Sequence, residues 1–219
     1  DSEIAVFKAL RAIKGKKAND LLYESNNLLG ILYNEREEYD RALEYHNKAL
    51  AIIDNQSFSS VLQFKASSLN NMGYVYLNLK NYQQAKSNFE KGLQQENLFV
   101  NKPKLYAMLL DNLAYSKFKL KESEGLPEQF YRALKIRDSL HLTSGVIINK
   151  THLSEYFASK NDTLRAVQYA KQALTLSRST NRLRSVLETL KQMESVVPEN
   201  ASKYSKEHIQ INDRLQKAE

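Results

Sequence analysis

The sequence contains no cysteine, few glycines and prolines, and no long hydrophobic run. Without cysteine, the chain has no disulfides, no thiolate metal ligands and no thiol nucleophile. Six glycines and three prolines among 219 residues are too few for a turn-rich β-sandwich or for glycine-rich phosphate-binding loops. No apolar stretch approaches the roughly 18 residues needed to cross a bilayer. These absences favour a mostly helical chain that makes no membrane contact itself.

The net charge of +7 arises from 32 basic and 25 acidic residues, which are mixed along nearly every segment. Such mixing is typical of a solvated surface with a mild basic bias. The chain starts at Asp1, without an initiator methionine or a leader sequence. We therefore expect a processed form or an excised part of a larger protein, with any signal peptide or anchor outside this sequence.

An internal repeat of 40 to 43 residues is the strongest pattern in the chain. A large apolar residue followed by a small one recurs four times, with the small residue at Gly30, Gly73, Ala114 and Ser154. The positions three, twelve, sixteen and nineteen residues after each small residue form columns. Only His46 and Lys117 among the sixteen column entries are neither small nor apolar. Four columns in register predict four copies of one structural unit.

Between the columns, the apolar residues are spaced as in α-helices. From Ala42 to Ile53 they follow the i, i+3, i+4, i+7 spacing of one helical face. The prolines at 103, 127 and 198 each precede a periodic segment, where the first helical turn does not need their missing N–H. Each repeat is therefore predicted to be two antiparallel helices that cross at the small residues, where a bulky replacement should overpack the contact.

These columns resemble the tetratricopeptide repeat (TPR), whose pattern is a Leu-Gly pair, an aromatic residue, and two alanine columns that flank an aromatic. Residues 28–33 with 39–42, and 71–76 with 82–85, carry the resemblance most closely. The longer spacing is similar to the extended TPR variant found in peptide-sensing and signalling proteins. The resemblance implies an all-α, right-handed α-solenoid of about five antiparallel helix pairs plus a leading helix.

We expect a single array over residues 1–219. Its parts are a leading half-repeat helix at 1–17, repeats at 23–56, 66–99, 107–140 and 147–180, and a degenerate capping pair at 182–219. A polar, atypical last repeat is expected of a cap. The tail at 208–216 is similar to the exit helix of bacterial TPR sensor-regulators. That similarity implies part of a larger bacterial signalling protein, either cytoplasmic or attached to a membrane through other segments.

In TPR proteins the first helix of each pair lines a concave groove, and the resemblance assigns groove positions here. The predicted peptide-binding or protein-binding residues are Asn27, Ile31, Asn34, Asn70, Tyr74, Leu77, Asn78, Asp111, Tyr115, Phe118, Thr151 and Glu155. Within this set, a ladder of short polar side chains is predicted to hydrogen-bond the backbone of an extended peptide: Asn27, Asn70, Asp111 and Thr151. Beside it, Ile31, Tyr74 and Tyr115 would offer contact area. Alternatively, the asparagines merely tolerate solvent and the tyrosines pack between helices.

The sequence offers no catalytic or metal-binding motif. The four histidines, at 46, 141, 152 and 208, are far apart, and none belongs to a paired ligand spacing. His46 occupies an aromatic column and is interpreted as a packed ring. The early groove positions carry no lysine or arginine, which argues against the carboxylate clamp that TPR proteins use for chaperone tails. We expect no enzymatic activity, no cofactor and no metal.

Two other functions remain as alternatives to peptide or protein binding. One is a nucleic-acid-associated regulator that uses the basic surface, with Lys14-Gly15-Lys16-Lys17 as a candidate contact. No recognition helix or aromatic RNA motif accompanies this run. Phosphate binding would weaken log-linearly with salt, whereas a groove of asparagine and tyrosine would depend on salt weakly. The other is a self-association module, which sedimentation at two protein concentrations tests.

Overall fold

The computed structural model describes residues 18–54, 61–180 and 182–217, together with Ile4. Over these ranges the chain forms eleven α-helices and one 3-10 turn, and no β-strand. The all-α fold of TPR-like antiparallel helix pairs expected from the sequence is confirmed. The leading helix expected at 1–17, with the basic run at 14–17, lies outside the described residues apart from Ile4.

The helices follow one another in pairs. Their bounds are α1 Ala18–Glu35, α2 Tyr39–Asp54, α3 Val61–Asn78, α4 Tyr82–Leu93, α5 Leu98–Asn101, α6 Pro103–Lys119, α7 Glu128–Ser139, α8 Thr143–Ser159, α9 Thr163–Ser179, α10 Leu183–Val196 and α11 Ala201–Gln216. The 3-10 turn Pro198–Asn200 leads into α11. Pro103 begins α6 and Pro127 immediately precedes α7, as expected for prolines at helix starts.

The chain divides into two compact units, residues 1–122 and residues 123–219. Unit 1 contains α1 to α6, and unit 2 contains α7 to α11. In unit 1, α1 packs on α2, α3 on α4, and α4 on α6. In unit 2, α8 packs on α7 and α9, and α10 packs on α9 and α11. Within each unit, a helix mainly contacts its neighbours along the chain, which is how repeat arrays build a core.

The small columns lie at helix crossings, as the sequence predicts. The alanines among them are fully buried: Ala42, Ala49, Ala85, Ala114, Ala133, Ala166 and Ala173. A Cβ atom at Gly30 would lie 2.6 Å from Cε1 of His46, and one at Gly73 would overlap the ring of Phe89. A ring from the second helix therefore occupies the space beside each of these two glycines, and a side chain there has no room.

Replacing Ala85 with leucine should destabilise the protein by about 1–3 kcal/mol, because the added atoms would enter a filled crossing. Ala85 has no exposed surface and packs in a cluster with Phe89, Leu109 and Leu113. Urea denaturation measures the effect, with Gln83→Leu, at an exposed position of the same helix, as the control. An unchanged unfolding free energy for Ala85→Leu would contradict the assigned register of this repeat.

One backbone turn recurs after the first helix of four pairs. Its central residue has a positive φ in each case: Glu37 at 62°, Lys80 at 58°, Lys121 at 62° and Asn161 at 59°. The next amide then donates to the carbonyl five residues back, as Glu38 does to Tyr33 at 2.9 Å. This is the Schellman motif that ends many helices. In all four turns the accepting carbonyl belongs to the same column, three residues after the small residue, so the turn keeps the register of the repeat.

Candidate binding surface

Asparagine side chains connect the first helices of successive pairs in unit 1. Nδ2 of Asn71 on α3 donates to Oδ1 of Asn27 on α1 at 3.0 Å. Further along the same two helices, Nδ2 of Asn78 donates to Oδ1 of Asn34, also at 3.0 Å. Seven residues separate the two amide bridges on each helix, which corresponds to about 10 Å at 1.5 Å per residue. The first helices α1 and α3 therefore lie side by side and run in the same direction.

Ile31 and Tyr74 lie between the two amide bridges. Ile31 comes four residues after Asn27, and Tyr74 three residues after Asn71, so both are on the helix faces that carry the bridges. Ile31 is half-buried, whereas the Tyr74 side chain is 50% exposed. A tyrosine in this position offers an apolar ring together with a polar hydroxyl. The structure thus brings together the five predicted residues Asn27, Ile31, Asn34, Tyr74 and Asn78.

The Asn34–Asn78 bridge lies at the surface and keeps hydrogen-bonding capacity. Asn34 contributes its carbonyl oxygen to the bridge, and Asn78 contributes its amide nitrogen. Because a side-chain amide has two N–H donors and an oxygen with two lone pairs, the N–H groups of Asn34 and the oxygen of Asn78 remain for other partners. A peptide unit presents one C=O and one N–H, which match such a donor and acceptor pair.

The predicted aromatic residues of α6 form a half-buried group. The rings of Tyr115 and Phe118 have centroids 6.1 Å apart. Nζ of Lys119 lies 4.9 Å from the centroid of Tyr115 and 5.1 Å from that of Phe118, in cation–π contact with both. Leu77 on α3 is also half-buried and packs against the core cluster that contains Phe89. These side chains are less open to solvent than Tyr74.

Two members of the predicted ladder, Asn70 and Asp111, have buried side chains. Asn70 is 3% exposed, and its Oδ1 accepts a hydrogen bond from Nδ2 of Asn112 at 3.2 Å. Asp111 has no exposed surface. Neither side chain is presented to solvent as the peptide ladder requires. Asn70 instead joins α3 to α6.

Asn71 and Asn112, which donate the hydrogen bonds of two bridges, are absent from the predicted set. Each directly follows a ladder position and lies two residues before the small residue of its repeat. The recurrence of asparagine at this position in adjacent repeats was the available signal. Neighbouring first helices are offset by one residue, so that Asn27 meets Asn71 and Asn70 meets Asn112. The hydrogen-bond partner of a ladder residue is therefore the residue that directly follows the ladder position of the next repeat.

In unit 2, the predicted residues Thr151 and Glu155 lie on α8 and are half-buried. The Thr151 hydroxyl donates to a carbonyl one turn earlier in its own helix, at 3.0 Å. A buried polar connection joins α8 to its neighbours: Nε2 of Gln192 on α10 donates to Oγ of Ser154 at 2.8 Å. The Ser154 hydroxyl in turn donates to the carbonyl of Ala166 on α9 at 2.8 Å. Ser154 therefore ties three helices together at the position where other repeats carry glycine or alanine.

His46 is a packed interior ring, as interpreted from its column. Its side chain is 1% exposed, and neither ring nitrogen has a hydrogen-bond partner in the described part of the chain. Burial lowers the pKa of His46 to about 4, so the imidazole is neutral near pH 7. The described residues contain no group of three or more acidic or histidine side chains that could hold a metal. Among the described helices, none is both long and apolar enough to cross a membrane.

Residues 21–95 match the family model described as Tetratricopeptide repeat. No curated protein matches the sequence. Similar solved structures include BtubC from P. vanneervenii, which is 15% identical over 98% of this chain and 90% of that chain, with a TM-score of 0.74. The apo form of RapI is 14% identical over 94% and 73%, with a TM-score of 0.75. A Rap protein complexed with Competence and Sporulation Factor is 14% identical over 95% and 56%, with a TM-score of 0.73. Likeness at these identities establishes a shared fold.

Proposed function

We propose that this chain, a tetratricopeptide-repeat protein, binds an extended peptide or protein segment along the face formed by the first helices of unit 1, without catalysing a reaction. The observation that carries this proposal is the half-exposed ring of Tyr74, framed by amide bridges on α1 and α3. Tyrosines of this kind are enriched among residues that dominate binding energy. The polar groups beside the ring are asparagine side chains, which hold one another in place through hydrogen bonds.

The proposed contact residues are the exposed and half-buried members of the predicted set. In unit 1 they are Asn27, Ile31, Asn34, Tyr74, Leu77, Asn78, Tyr115 and Phe118. Thr151 and Glu155 are the proposed contacts of unit 2. An apolar side chain of the ligand would rest on Tyr74 and Ile31, while Asn34 and Asn78 hydrogen-bond its backbone. Contacts of this type recognise an extended backbone and leave much of the ligand sequence open.

The proposal extends to the setting of the chain. We place it as the sensory or scaffolding part of a larger bacterial signalling protein. The likeness in fold to a Rap protein solved in complex with Competence and Sporulation Factor supports this setting, as does the similarity of residues 208–216 to the exit helix of TPR sensor-regulators. The partner of this chain is then a protein or a peptide segment.

Truncating Tyr74 or Tyr115 to alanine should weaken ligand binding by about 2 kcal/mol each, or about 30-fold in Kd. Peptides selected from a random displayed library against the wild-type protein serve as ligands, and fluorescence anisotropy gives their affinities. Because Tyr74 is 50% exposed, we expect its removal to leave the helical circular dichroism and the melting temperature nearly unchanged. Tyr115 is half-buried and should show both an affinity loss and a modest loss of stability.

Leu164→Ala is the control, because Leu164 is a large apolar residue that is 83% exposed and lies on α9, the second helix of its pair. Its affinity for the selected peptides should equal that of the wild-type protein. The proposal fails if Tyr74→Ala binds the peptides normally and melts early. Such a result would mean that the ring packs between helices, where truncation typically costs about 3–5 kcal/mol of stability.

A further inference from the structure

The connection between α4 and α6 is longer than the corresponding connections of unit 2. Three residues separate α7 from α8, and three separate α9 from α10. Nine residues separate α4 from α6, and they contain the single helical turn α5, Leu98–Asn101. This turn is an addition to the repeat pattern.

The α5 turn is anchored to the core of unit 1. Leu98 is 3% exposed and packs in the cluster with Phe89 and Leu109. The ring of Phe99 contacts Tyr106 edge-on, with centroids 5.2 Å apart. The amide of Lys102 donates to the carbonyl of Leu98 at 2.8 Å, which closes the turn. The turn therefore holds its side chains in defined directions.

With Leu98 directed into the core, the next two side chains face solvent. Phe99 is 48% exposed and Val100 is 76% exposed. Leaving apolar surface in water is unfavourable by roughly 25 cal/mol per Å² relative to burying it. Adjacent exposed apolar residues on an anchored turn are a feature of contact surfaces, whereas single exposed apolar residues are common everywhere.

The sequence on either side of α5 is rich in lysine. Residues 80–121 hold eight lysines and three acidic residues, a net charge of +5 out of the chain's +7. Lys91 and Glu96 precede α5, Lys102 and Lys104 follow it, and all four are exposed. Lys86 on α4 pairs with Glu122 at 2.7 Å, but these three lysines form no ion pair with any described residue. Their positive charge is left for a partner.

We infer that α5 is a docking surface for an acidic protein segment that carries an apolar side chain. Phe99 and Val100 would bury the apolar side chain, and Lys91, Lys102 and Lys104 would pair with carboxylates around it. A protein segment fits better than a membrane, because membrane-surface helices need a broad apolar face over several turns and α5 has one turn. The surface uses none of the residues proposed for the first-helix face, and its function does not depend on that face.

A designed peptide pair tests this inference. The first probe is a fluorescein-labelled peptide with six acidic residues around a central Leu-Trp pair, and the second has Ser-Ser in place of that pair. By fluorescence anisotropy, the wild-type protein should bind the first probe at least about tenfold more tightly than the second. Phe99→Ser and Val100→Ser should each remove most of this difference. Lys102→Glu with Lys104→Glu should weaken both probes and flatten the salt dependence.

Matched variants in unit 2 locate the binding. Leu164 is 83% exposed, and Leu164→Ser should leave both affinities unchanged, as should the charge control Lys135→Glu with Lys171→Glu. Because Val100 is the more exposed of the two apolar residues, Val100→Ser keeps the test valid if Phe99→Ser proves unstable. Equal losses for the α5 and unit 2 variants, or no binding of the first probe, would overturn the inference. The inference would also be overturned, in favour of a lipid surface, if the wild-type protein bound phosphatidylserine vesicles and the Val100→Ser variant did not.

Discussion

As the pH falls from 7 to 4, the free energy of unfolding of the wild-type protein should decrease by about 3 kcal/mol more than that of a His46→Phe variant. Burial lowers the pKa of His46 in the folded protein to about 4, whereas an unfolded chain gives histidine a pKa near 6.5. The unfolded state therefore binds the proton more readily. The contribution of His46 is fully present above pH 6.5 and is lost as the pH falls toward 4, at about 1.36 kcal/mol for each unit of pKa difference.

The geometry around His46 explains why the folded state disfavours the charged ring. The imidazole packs against Gly30 and is 1% exposed. Burial is the cause of its lowered pKa, so protonation would leave a cation in an apolar site. Phenylalanine occupies this column in the next two repeats, at Phe89 and Phe130, and both rings are fully buried. A phenylalanine at position 46 should therefore fit the crossing and remove the titration.

Urea denaturation at several pH values between 4 and 7 measures this effect. The control is Gln83→Leu, because Gln83 is exposed and carries no ionisable group, so its replacement should leave the pH dependence of the wild-type protein intact. Parallel pH dependences for wild type and His46→Phe would contradict the prediction. They would mean that the ring is solvated in the folded protein and does not lie in the crossing over Gly30.

Replacing Phe89 with alanine should destabilise the protein by about 3–5 kcal/mol, the range typical of buried aromatic truncations. The Phe89 ring has no exposed surface and packs with Ala85, Leu98 and Leu109. Its truncation would leave a cavity that the surrounding helices can fill only in part. Calorimetric melting or urea denaturation gives the loss, and the circular dichroism spectrum of the variant below its transition should remain helical.

A double-mutant cycle with Gly73 makes this prediction specific. Gly73→Ala alone should cost about 1–3 kcal/mol, because its Cβ would overlap the Phe89 ring. In the Phe89→Ala background the ring is gone, so the same methyl group should enter the cavity and cost much less. The two changes should therefore be strongly non-additive, as expected for residues in contact. Additive losses would show that the ring does not lie over Gly73.

The repeat could be derived from the sequence because its determinants are local and steric. Positions 30 and 73 require glycine because a ring from the following helix covers each of them, His46 over Gly30 and Phe89 over Gly73. That relation links residues sixteen apart in the chain and recurs with the repeat, so it appears as a column. The α5 turn lacks such a signal, because four residues carry no helical period and the anchoring role of Leu98 depends on a core assembled by other helices.

The candidate surface was only partly predictable. Tyr74 directly follows the glycine of the crossing, so its side chain is rotated about 100° around the helix axis from the contact with α4. The burial of Asn70 and Asp111 depends on how α3 and α6 are offset, and that offset is set by packing between repeats. Because the offset between α3 and α6 is one residue, Asn112 faces Asn70. Aligning the repeats by their small residues would instead pair Asn70 with Asp111. Sequence columns give the helix face, but the interhelical offset decides which side chains on it are covered.

The four Schellman turns have a consequence for the unfolded state of this glycine-poor chain. Glu37, Lys80, Lys121 and Asn161 each adopt a positive φ, which costs a residue with a side chain roughly 1–2 kcal/mol in the folded protein. Glycine would avoid that cost, but it would give the unfolded chain more conformations to lose, worth about 0.4–1 kcal/mol at each site. The second contribution offsets part of the first. The turn can thus be built from a charged or amide residue at a reduced net cost, because the denatured ensemble of such a residue has less chain entropy to lose than that of glycine.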